Sequence, residues 1–136
     1  MTVAPNRGEL IRVEYRYIQS ITCQGNRRVR VTPDGSIFVD VATRDCLGGE
    51  DWNGPWPEEP AGALSDDQMA LLRRQIEGTG FMELPQRIAT PGHGGFREEL
   101  DVTLGERGHS VTVERAPAPA GFGRVRDTLL RLAGLT

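Results

Sequence analysis

Apolar and polar residues change places at every second position in several short stretches of this chain. Ile11, Val13, Tyr15 and Tyr17 alternate with Arg12, Glu14 and Arg16, the period of a half-buried strand. Val29 and Val31 alternate with Arg28 and Arg30, and Ile37, Val39 and Val41 follow Pro33-Asp34-Gly35. Proline presets φ and glycine supplies a positive φ, so the segment predicts a β-hairpin. Leu100, Val102 and Leu104 face Val111 and Val113 across Gly105-Glu106-Arg107-Gly108, a second hairpin. Counted across a four-residue turn, Val102 falls opposite Val111 and Leu100 opposite Val113. His109 then falls opposite Leu104, on the core side at the sheet end.

Two segments change to the helical period. Ser65-Asp66-Asp67 is a helix start: the serine hydroxyl can accept from free backbone N–H groups, and the aspartates suit the positive end of the dipole. Met69, Leu72 and Ile76 then share one face, and Gly78 and Gly80 stop the helix. Phe81 and Leu84 return to the core. Ala116–Ala120, rich in proline, is a stiff connector to a last helix with Phe122, Val125, Leu129 and Leu132 on one face, closed by Gly134. The order predicts one α+β domain over residues 1–136, with a single antiparallel sheet of about five strands and two helices on one face. Residues 1–9 are expected to be a flexible N-terminus. The expected core is Val29, Val31, Ile37, Val39, Val41, Leu72, Ile76, Leu100, Val102, Val111, Val113, Val125 and Leu129.

Residues 44–63 have neither period. Both tryptophans of the chain lie there, in Trp52-Asn53-Gly54-Pro55-Trp56-Pro57. Long irregular loops in compact domains are commonly functional or disordered, and disordered stretches are poor in aromatics. A folded loop is therefore expected, either covering the sheet or contacting a partner. Rigid apolar tryptophan is what interface anchors use, so Trp52, Asn53, Trp56, Glu58 and Glu59 are the candidate partner-binding residues.

Composition narrows the function. The net charge of −3 comes from 16 basic and 19 acidic residues, and every basic residue is arginine. Such a balance gives no basic face for nucleic acid. Arg27, Arg28 and Arg30 form a local cluster; Arg28 and Arg30 share a strand face, for which a solvated surface is the plain reading. No apolar run is long enough to cross a membrane and the first residues have no secretory h-region, so the expected address is the cytoplasm. The hairpin register, carried outward from Pro33-Asp34-Gly35, sets Cys23 and Cys46 opposite each other, a possible disulfide that a reducing compartment would leave open.

Catalytic signals are thin. His93-Gly94-Gly95-Phe96 looks like an oxyanion-hole tetrad, but no G-x-S-x-G elbow accompanies it. Cys23, Cys46, His93 and His109 lack the close pairing of structural zinc ligands. The pairs Glu50-Asp51, Glu58-Glu59 and Glu98-Glu99 have no spacing that separates an acid from a base, and a solvated face is the plain reading of each. No catalytic residue, cofactor or metal is expected. The competing readings are a small-ligand or hydrolytic domain using the Gly-rich 91–95 loop and His93, and a structural subunit of a larger assembly.

The second half carries a family pattern. It runs through Leu64-Ser65-Asp66-Asp67, Phe81-Met82-Glu83-Leu84-Pro85, Phe96, the hairpin ending His109-Ser110-Val111-Thr112-Val113, and the Leu129–Leu132 helix. This resembles emfourin-like proteins, small inhibitors of thermolysin-type metalloproteases. The first half departs: the family's Gly-Gly-Phe motif is missing at Ser20–Asn26, and the 46–63 loop is extra. Cys23 and the Asp34-Gly35 hairpin are closer to a family of small domains without an assigned activity. The resemblance implies a non-enzymatic protein-binding domain, most specifically a proteinaceous inhibitor of a metalloprotease.

Overall fold

One strand holds the two halves of the chain together. In the computed structural model, which describes residues 10–19, 25–42, 55–92 and 95–135, β1 (Ile11–Gln19) pairs antiparallel with β2 (Arg27–Val31) on one side and β6 (Phe96–Leu104) on the other. Around it lie β3 (Ser36–Val41), β4 (Gly62–Ala63), α1 (Asp66–Gly78), a 3-10 turn at Phe81–Glu83, β5 (Arg87–Ala89), β7 (Arg107–Glu114) and α2 (Ala120–Leu132). The sheet order is β4-β3-β2-β1-β6-β7-β5.

Among the described residues the fold is α+β with two α-helices, but the sheet has seven strands and is mixed, correcting the expected five antiparallel ones. β4 pairs two residues with β3, and β5 pairs three residues parallel to β7. Elements of two or three residues are too short to show a period. The second hairpin also has another register: Leu100 faces Val111, Val102 faces His109 and Leu104 faces Arg107. The turn is only Gly105-Glu106, with Gly105 at φ +59°, so Arg107 and Gly108 belong to the strand. A two-residue turn needs positive φ, which glycine supplies.

The alternation sorts the sheet into two faces. Ile11, Val13, Tyr15, Val29, Val31, Ile37, Leu100, Val102, Val111 and Val113 share the buried core with Leu72, Ile76, Phe81, Phe122, Val125 and Leu129. Two expected core residues differ. Val39 is half-buried and Val41 is 41% exposed, at the Arg27 end of the first hairpin. A period of two fixes the face a side chain takes, not whether another layer reaches over it.

Local signals explain the helices. Ser65 caps α1 by accepting from the Gln68 N–H, and the Gln68 side chain accepts in return from the Ser65 N–H, a full capping box. α1 ends before Gly80, which sits at φ +78°. α2 starts against that same turn, since a Cβ added at Gly121 would lie 2.8 Å from the Thr79 carbonyl oxygen.

Candidate functional site: the charged sheet face and the Trp56 segment

The face turned away from the helices is charged. Cross-strand register sets Asp40, Arg28, Arg16 and Glu99 in one row, and Phe38, Arg30, Glu14 and Asp101 in the next. Arginine beside arginine is unfavourable in such a row. The carboxylates offset it: Glu14 Oε1 accepts from Arg16 at 2.9 Å and from Arg30 at 3.3 Å.

Arg28 differs from the rest. It is 2% exposed although it points to the face without helices. Its Nε and Nη2 donate to Asp40 Oδ2 at 3.0 and 2.9 Å, and Nη2 also donates to the Pro55 carbonyl at 2.9 Å. The Arg28 and Arg30 guanidinium carbons lie 4.1 and 4.3 Å from the centroid of the Trp56 ring. Such contacts join dispersion to the attraction of a cation for the ring quadrupole. The solvated face expected at Arg28 is therefore covered, and Trp56 packs on its own sheet, half-buried.

Beyond Trp56 the chain turns outward. Pro57, Glu58, Glu59 and Pro60 are exposed. The segment returns through Ala61, whose N–H donates to the Ile37 carbonyl at 2.7 Å, then β4 joins β3. Thus Pro57–Pro60 spans two fixed points: Pro55 and Trp56 on Arg28, and Ala61–Ala63 on β3. Of the sequence-derived partner residues, Trp56, Glu58 and Glu59 fall in this segment. Trp52 and Asn53 lie outside the described residues, as do the proposed disulfide residues Cys23 and Cys46.

The Gly-rich loop has another role available. Arg115 is the sole non-glycine residue with positive φ, at 53°, among those described, and its Nε donates to the Thr90 carbonyl at 2.9 Å. A Cβ at Gly95 (φ +83°) would come within 3.1 Å of Arg115 Cγ, and one at Gly92 within 3.2 Å of its Nε. The glycines let backbone close around an arginine stem. His93 and Gly94 lie outside the described residues. His109, half-buried, donates from Nε2 to the Leu84 carbonyl at 2.7 Å and meets the Phe81 ring edge-on. It ties the 3-10 turn to β7.

Hollows among the described residues include two open ones. One, of about 250 Å³, is lined by Tyr17, Gln19, Gly95 and Phe96. The other, of about 300 Å³, lies on the helices between Gln75, Arg124, Asp127, Thr128 and Arg131. Neither brings a nucleophile against a base, the arrangement that covalent catalysis needs. Among the described residues no three His, Cys, Asp or Glu side chains could hold a metal ion, and no helix is long and apolar enough to cross a membrane.

Sequence reasoning found the loop but missed its anchor. The available signal was the pairing of strand arginines with a nearby tryptophan, though spacing alone gives no hint that Arg28 and Trp56 meet. Neither a protein-family model nor a curated protein matches the chain.

Proposed function

We propose that this chain is a non-catalytic protein-binding domain, with inhibition of a thermolysin-type metalloprotease as its most specific form. One observation carries the reading: Pro57–Pro60 is exposed between two tethered ends, and prolines at 55, 57 and 60 restrict its backbone. A segment already ordered before contact loses less conformational freedom on binding, so more of the contact energy appears as affinity. Its surface offers the exposed part of Trp56 and the Glu58 and Glu59 carboxylates. The resemblance of the second half to emfourin-like inhibitors supplies the class of partner.

The test is inhibition of thermolysin by the purified chain, compared with a Glu58→Ala/Glu59→Ala variant. Both residues are exposed, so the variant should keep the wild-type far-UV circular dichroism and unfolding midpoint. Its inhibition constant should rise by about 30-fold, the loss expected of a hot spot. A double variant that inhibits as well as wild type would remove the segment from the interface.

A further inference from the structure

We propose that Arg28 is the positioning residue of the binding segment: it fixes Trp56 and Pro55 on the sheet and so sets the conformation in which Pro57–Pro60 is presented. The proposal rests on the reading above for what the segment does, but not for how it is held. A buried arginine is costly unless its charge and donors are satisfied. Arg28 meets that requirement by joining two parts of the chain. Asp40, on β3, takes Nε and Nη2 and fixes the plane of the guanidinium. The fork then points at the Pro55 carbonyl, while its flat face lies against the indole.

Lysine could keep the charge but would lose the planar fork and the stacking surface. Arg30 is the internal comparison. Its guanidinium touches the same ring, yet it is half-exposed, pairs with Glu14, and is not among the donors to Pro55. The geometry therefore assigns the hold on the segment to Arg28, with Arg30 as a lesser contact.

The experiment has an arm that needs no partner. In a Trp52→Phe background, Trp56 is the only tryptophan. Arg28→Lys should shift its emission to longer wavelength, raise its quenching by acrylamide, and speed amide exchange over residues 56–61 about tenfold. Arg30→Lys should leave all three near wild type. The second arm measures inhibition of thermolysin, where Arg28→Lys should weaken the chain about tenfold by returning the ordering cost to the binding step. If Arg28→Lys unfolds the sheet, Asp40→Asn carries the test, because it keeps the side-chain shape and removes the charge that orients the fork. Wild-type emission, quenching and exchange in the folded variant would overturn the proposal. So would a loosened segment with unchanged inhibition. A wild-type chain that does not inhibit thermolysin overturns the functional reading instead, and the first arm alone then decides the role of Arg28.

Discussion

At the residue scale, the most demanding position on the helix side is a carboxylate in the core. Glu98 is 7% exposed; Tyr15 donates its hydroxyl to Oε2 at 2.9 Å, and Arg126 Nη1 lies 3.1 and 3.2 Å from the two oxygens. Burial first, and then the Glu98 charge, push the Tyr15 phenol far above its ordinary value of 10.0. In an unfolded chain that phenol ionises near pH 10, whereas in the fold it stays protonated. Above pH 10 the unfolded state therefore binds fewer protons, and stability falls as pH rises. Tyr15→Phe should cost about 1–2 kcal/mol at neutral pH by taking a donor from Glu98. The gap between wild type and variant in urea unfolding should narrow from about pH 9 to pH 11. A gap that stays constant across that range would show that the phenol gains no protection from folding. The solvated face expected of the Glu98-Glu99 pair fails at Glu98, which is buried; alternation through Leu100 and Val102 carried the signal for its core face. Its partner Arg126 was not legible, because the period within a helix says nothing about which strand end the helix lies against.

At the element scale, the helices were legible where a local rule specifies them. Ser65, the two aspartates and the Leu72–Ile76 spacing together mark α1, and the structure places its cap and buried face there. Ser65→Ala should therefore lower stability by about 1 kcal/mol, and Leu72→Ala by about 2–5 kcal/mol, since Leu72 is wholly buried. An unfolding midpoint unmoved by the leucine substitution would contradict the assigned face. What the pattern left out is how closely elements approach. Gly121 and Gly123 look alike in the sequence, both in the first turn or so of α2. Only Gly121 abuts backbone, at the Thr79 carbonyl; a Cβ at Gly123 would meet just the far end of Arg126 at 3.5 Å. Gly121→Ala should destabilise by about 1–3 kcal/mol through overpacking. Gly123→Ala should instead stabilise by up to about 1 kcal/mol through helix propensity. Thermal unfolding of the two variants gives opposite signs if the approach of α2 to the turn is as described. β4 and β5 escaped the pattern for the related reason that two or three residues pair by proximity, not by periodicity.

At the scale of the whole molecule, the position of β1 decides what can fold alone. The β2–β3 hairpin belongs to the first part of the chain, and the β6–β7 hairpin with both helices to the second. The register joins them only through β1, whose Ile11–Gln19 runs against Leu104–Phe96 along its full length. Those partners lie far apart in sequence, so their pairing requires closing a long loop before it returns contact energy. The stretch from Leu64 onward, taken alone, leaves the β1-facing edge of β6 unpaired and strips Ile11, Val13, Tyr15, Val29, Val31 and Ile37 from the core. The proposed binding segment has the same dependence, because Pro57–Pro60 is held by Arg28 of β2 and by β3. A fragment comprising residues 64–136 should remain largely unfolded by circular dichroism, and should gain native-like structure when mixed with residues 1–63. The intact chain should lose far-UV signal and tryptophan fluorescence in one coincident urea transition, the sign of a single cooperative unit. A stable isolated 64–136 fragment, or two separated transitions, would show instead that the second half holds its own fold and that β1 is an addition to it.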